Sequence, residues 1–165
     1  MSLSKKLLLM AIVITLLMIA TGCGTTESVL TSKVNPIEKG EIRVLIINRG
    51  SSYQKKFTDT NMISEMIDNL NHVNVKKLSK DEDIKVLDSG NALAKESTIT
   101  LYFLPADNGQ PKSEAILLTE KELYLPDIKS MMGNNRTISY LNDNDEISLR
   151  SIKTIYSLAQ EVTKN

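Results

Sequence analysis

Among its 165 residues the chain has one cysteine, one histidine and no tryptophan. Each scarcity removes a chemistry. A lone Cys23 cannot close an intramolecular disulfide, so an exported domain has to rest on its apolar core. One histidine, His72, with no second thiol cannot build a histidine-rich or cysteine-rich zinc site. A Ser–His–Asp triad would have to use His72, and no G-x-S-x-G turn presents a serine to it. Aromatics are few, with five Tyr and two Phe, which disfavours a platform for stacked sugars or single-stranded bases. Charge of one sign is lacking too, since 20 Lys and Arg face 20 Asp and Glu. That balance offers no field to capture nucleic acid and no polybasic patch for a membrane surface. The phosphate-cradling patterns G-x-x-x-x-G-K-[ST] and G-x-G-x-x-G are absent, and no cofactor is expected.

The clearest feature present is the amino terminus. Lys5 and Lys6 precede Leu7–Ala20, an apolar run interrupted only by Thr15, and Thr21-Gly22-Cys23-Gly24 follows at once. A spanning helix needs roughly 20 apolar residues. This run is shorter and has the length of the apolar part of an export signal. The junction Ile19-Ala20-Thr21-Gly22-Cys23 resembles the lipobox of bacterial lipoproteins, with Ala20 standing where Leu is commonest in that class. The resemblance implies a diacylglyceryl group on the Cys23 thiol and signal-peptidase cleavage between Gly22 and Cys23. Two acyl chains hold a protein at a bilayer where one is marginal, at about 0.8 kcal/mol per buried methylene. Loss of residues 1–22 removes Lys5 and Lys6 and leaves 18 basic and 20 acidic groups. The expected location is the outer face of the cytoplasmic membrane. Residues 1–22 then form the signal peptide, 23–40 the lipidated cysteine and a flexible tether, and 41–165 one folded domain.

Within the domain, Glu41–Asn48 reads as a central strand, because Ile42, Val44 and Ile46 make one apolar face and Leu45 and Ile47 the other. A helix starting near Thr58 or Asp59 carries the stripe Met62, Ile63, Met66, Ile67 and Leu70. Val73–Leu78 reads as a short extended piece. Ser79 and Glu82 spell a capping box for a short helix ending near Leu87. Alternation then places strands at Thr98–Leu104, Glu114–Leu118, Glu122–Leu125 and Thr137–Leu141, with Pro105–Pro111 as a hairpin loop. Asp127–Met132 reads as one helical turn. The last helix spans about Glu146–Glu161 on the stripe Leu149, Ile152, Tyr156 and Ala159. The expected class is α+β: a mainly antiparallel sheet of about five strands with two main helices on one face.

Candidate chemical groups reduce to structural roles. His72 follows a helix end, where an imidazole complements the last carbonyls. Asp81-Glu82-Asp83 sits in the first turn of a helix, where carboxylates suit the dipole. Asp143-Asn144-Asp145-Glu146 opens like a calcium loop. Ile147 at position five, Ser148 at six and Thr154 at twelve break that register, and a capping turn fits better. No metal site is therefore expected. Asn135-Arg136-Thr137 matches a glycosylation sequon by chance. Tyr102, Tyr124 and Tyr140 fall on strands, either lining a recognition face or half-buried as strand tyrosines usually are.

The lipobox at Cys23, Asp59-x-x-Met62-Ile63, Ile99–Phe103, Ala115–Thr119, Leu123-Tyr124-Leu125-Pro126-Asp127 and Arg136-Thr137-Ile138-Ser139-Tyr140 together resemble small cell-surface lipoproteins of Bacillus-type Gram-positive bacteria. That resemblance implies a surface α+β module and carries over no site except the lipidated cysteine. The expected activity is binding rather than enzymatic, toward a protein, peptide or wall component outside the membrane. Two alternatives stay open: an envelope hydrolase using a carboxylate pair, and a structural component of an envelope or sporulation assembly.

Overall fold

Apolar strand faces need cover, and helices supply it across one side of the sheet and over part of the other. The computed structural model describes residues 37–51, 53–88, 92–128, 130 and 138–164. Gly22, Cys23, the run Leu7–Ala20 and the sequon at 135–137 lie outside the described residues. Among the described residues seven strands form one open, antiparallel sheet: β1 (Val44–Arg49), β2 (Tyr53–Phe57), β3 (Val75–Lys77), β4 (Ile99–Leu104), β5 (Ser113–Leu117), β6 (Leu123–Pro126) and β7 (Ser139–Asn142). Their spatial order is β2-β1-β4-β5-β6-β7-β3. Among the described residues three α-helices accompany them: α1 (Thr60–Asn71), α2 (Lys80–Asp88) and α3 (Glu146–Val162). The class is α+β, as the pattern implies. The expectation of about five strands and two main helices on one face is corrected to seven strands and three helices on two faces.

Chain order explains the correction. From β2 at one edge, α1 carries the chain to β3 at the other edge, and α2 brings it back to β4 beside β1. The outward path lies on one face and the return path on the opposite one. Ile63, Met66, Ile67 and Leu70 of α1 and Ile152, Ile155 and Ala159 of α3 share one core with Leu45, Ile47, Leu101, Phe103, Ala115, Leu117 and Leu123. On the other face Val86 and Leu87 of α2 pack with Ile116, Leu118, Tyr124 and Leu141.

Register shows why α2 lies where it does. A single row of paired residues crosses all seven strands on this outer face: Gln54, Asn48, Thr100, Ile116, Tyr124, Leu141 and Lys76. The row is polar over β2, β1 and β4 and apolar over β5, β6 and β7. Apolar surface left in water is costly, so the helix settles over the apolar half.

Local chemistry sets the element ends. Asp59 caps α1, its carboxylate accepting from the N–H of Asn61 at 2.8 Å and of Met62 at 3.0 Å. Ser79 and Glu82 form the expected capping box, with Ser79 N–H donating to Glu82 Oε2 at 2.8 Å and Glu82 N–H to Ser79 Oγ at 3.4 Å. Asp145 caps α3 through Ser148 N–H at 3.0 Å. Gly50 turns β1 into β2 at φ +54°, where a Cβ would meet the backbone of Glu96 at 3.2 Å. The expected stripe of α3 is rotated: Leu149 is only half-buried, whereas Ile155, Ser148 and Ser151 face the core. Small serines tolerate that contact because Ser148 Oγ is satisfied by Asp145 and by the N–H of Asn74.

Candidate functional site on the outer sheet face

A second row on the outer face runs from the β2 edge inward: Lys56, Ile46, Tyr102 and Glu114. Glu114 is half-buried on β5, and the hydroxyl of Tyr102 on β4 donates to its carboxylate. Burial raises the carboxyl above the usual carboxylate range, and the tyrosine hydrogen bond only partly offsets it. Tyr102 is itself raised, first by burial and then by the Glu114 charge. These two groups are coupled neighbours on a pleated surface.

Beside them lies Tyr124 on β6, buried under α2 at 2% exposure. Its hydroxyl donates to Asp83 Oδ1 at 2.7 Å, and the hydroxyl of Ser139 donates to the same oxygen. Burial is the main reason that Tyr124 is pushed up to about 12, and the charges of Asp83 and Glu114 add to it. Asp83 thus ties α2 to β6 and β7. Its sequence position in an acidic helix start signals dipole complementarity and gives no hint of this reach into the sheet.

The face places Asp83 and Glu114 on either side of Tyr124, but neither carboxylate lines a described cavity. One cavity, of about 130 Å³, lies among Val86, Ala92, Thr98, Leu118, Thr119 and Leu141, with Lys95 and Glu122 at its rim. Another, of about 360 Å³, is a shallow trough along the outer side of α3, bordered by Arg150, Lys153, Ser157 and Leu158. Neither is lined by Glu114. Chemically the Glu114 pair can hold or release a proton and can offer a hydrogen-bonding edge to a partner lying on the sheet.

Residues singled out in the sequence separate in space. His72 is exposed at the end of α1, its Nδ1 2.6 Å from the carbonyl of Asp68, a capping contact. Tyr102 and Tyr124 share the outer face, whereas Tyr140 faces the helical core, so the three tyrosines do not line one surface. Tyr140 is raised by burial and by the charge of Asp127. Asp145 is held below the usual carboxylate range by the hydroxyl and N–H of Ser148. Glu82 is lowered by the N–H and hydroxyl of Ser79. Among the described residues no group of three or more His, Cys, Asp or Glu could hold a metal, and no helix is long and apolar enough to cross a membrane. Sequence reasoning did not single out Glu114. Its signal was a half-buried carboxylate on the outer sheet face opposite Tyr102, legible only once β4 and β5 are paired. Comparison with protein families, with curated proteins and with solved structures returns no match.

Proposed function

We propose that the protein is lipid-anchored through Cys23 at the outer face of the cytoplasmic membrane, and that its domain is a binding module for an envelope protein, peptide or wall component. The anchor rests on the apolar run that ends in Gly22-Cys23. The binding role is carried by one observation: the half-buried pair Glu114–Tyr102 sits on a pleated sheet face, outside both described cavities. Catalysis needs reacting groups held in a water-excluding concavity, whereas recognition can use an open face. The raised carboxyl of Glu114 is the specific observation in favour of the envelope-hydrolase alternative.

Two experiments test the reading in its separate parts. Metabolic labelling with a fatty-acid analogue marks the unaltered chain and leaves the Cys23→Ala chain unmarked and uncut. Label on that variant refutes the anchor. Crosslinking on intact cells captures a partner, and Glu114→Gln reduces its recovery. Turnover of a wall polymer by the purified protein, abolished by Glu114→Gln, refutes the binding role and supports the hydrolase.

A further inference from the structure

The chain does not enter the sheet directly. Before β1, residues 37–41 lie back against α1 and join no strand. The Asn71 side chain grips Ile37 at both backbone groups: Ile37 N–H donates to Asn71 Oδ1 at 2.9 Å, and Asn71 Nδ2 donates to the Ile37 carbonyl at 3.1 Å. The Ile37 side chain packs against the main core. Two ion pairs hold the rest, Lys39 with Asp68 at 2.6 Å and Glu41 with Lys112 of the β4–β5 loop. Local backbone bonds add to these, from Glu41 N–H to the Glu38 carbonyl and from Ile42 N–H to the Lys39 carbonyl. The sheet contact begins at Arg43, whose N–H donates to the Leu104 carbonyl, and Ile42 is already buried in the core at 3% exposure.

Such a segment has few buried apolar contacts and no ladder, the marks of a unit that opens without the rest of the domain. Both ion pairs are about half exposed, so water and salt screen them. We propose that residues 37–41 are a releasable strap. Docked, the chain leaves the domain at the carboxyl-terminal end of α1. Released, it is free as far as Ile42 while the core stays intact, and the reach of the segment leading to the domain grows by about 16 Å at roughly 3.3 Å per residue. The strap would then adjust how far the outer sheet face stands from whatever holds the amino-terminal side. Its contacts lie wholly within the domain, so the proposal does not depend on lipidation.

Amide hydrogen exchange on the full chain tests this. In the unaltered protein the Ile37 amide exchanges more slowly than free peptide and faster than the amides of Leu45 and Ile47. Asn71→Ala speeds Ile37 at least about tenfold and leaves Leu45 and Ile47 unchanged. Lys39→Glu, at an exposed position facing Asp68, gives a smaller acceleration confined to the same residues. Equal acceleration of strap and core amides, or loss of folding in Asn71→Ala, means that strap and core open as one unit and overturns the proposal. An Ile37 amide that exchanges as free peptide in the unaltered chain overturns it too.

Discussion

Glu114 is a carboxylate whose surroundings favour its neutral form, and the sign of that effect can be followed with pH. Its carboxyl is raised above 4.5 by burial, so folding favours the protonated state. The stabilising share is fully present below about pH 4.5 and is lost as pH rises through the raised folded-state value. At neutral pH the folded chain therefore carries the whole cost of a half-buried charge. Gln keeps an oxygen to accept from the Tyr102 hydroxyl and has no charge to desolvate. Glu114→Gln is expected to raise the urea midpoint at neutral pH, with the gain shrinking as pH falls toward 4.5. A lower midpoint at neutral pH would show that the ionised carboxylate contributes net stability.

At the level of elements, α2 is joined to the sheet by a polar tie as well as an apolar one. Asp83 accepts from both Tyr124 and Ser139, each 2% exposed. Asp83→Ala leaves two buried hydroxyls without that acceptor, at about 1–3 kcal/mol for each group left unsatisfied. Asp83→Asn keeps an oxygen that can accept from both, and its loss is expected to be smaller. Urea unfolding of the two variants checks the order, and equal midpoints would mean that Val86 and Leu87 alone hold the helix. This tie also marks how far the sequence is legible. Caps are local, so Asp59, Ser79–Glu82 and Asp145 can be read from spacing alone. Two-sided strands such as β1 are legible from apolar residues at both parities. What escapes is anything fixed by pairing between distant segments. Tyr53–Phe57 reads as polar because Gln54, Lys55 and Lys56 are exposed on an edge strand, so β2 carries no alternation to recognise. Asp83 and Glu114 become notable only when register places tyrosines beside them. The side on which α2 packs follows from the crossing from β3 back to β4, a property of topology that no single segment contains.

Taken as a whole, the molecule is an open sheet, and an open sheet has two edges that can recruit another chain. Both carry adjacent lysines, Lys55-Lys56 in β2 and Lys76-Lys77 in β3. If two copies met antiparallel along β2, like charges would fall opposite one another, which is destabilising across a strand pair. The lysines are also held in place: Lys55 Nζ lies 5.5 Å from the centroid of the Phe57 ring, and Lys56 pairs with Asp107 at 2.9 Å. Edge charge thus protects a sheet whose interior strands bury a continuous apolar face against the helices. Replacing Lys55 and Lys56 together by Val removes the repulsion and gives β2 the β-branched character of a pairing strand. Sedimentation velocity is expected to show self-association that grows with concentration beyond that of the unaltered chain. The same exchange at Lys76 and Lys77 is expected to have the weaker effect, because β3 offers three residues for pairing against five in β2. Association that is stronger through β3 would mean that strand length does not govern the hazard, and that some other feature already guards the β2 edge.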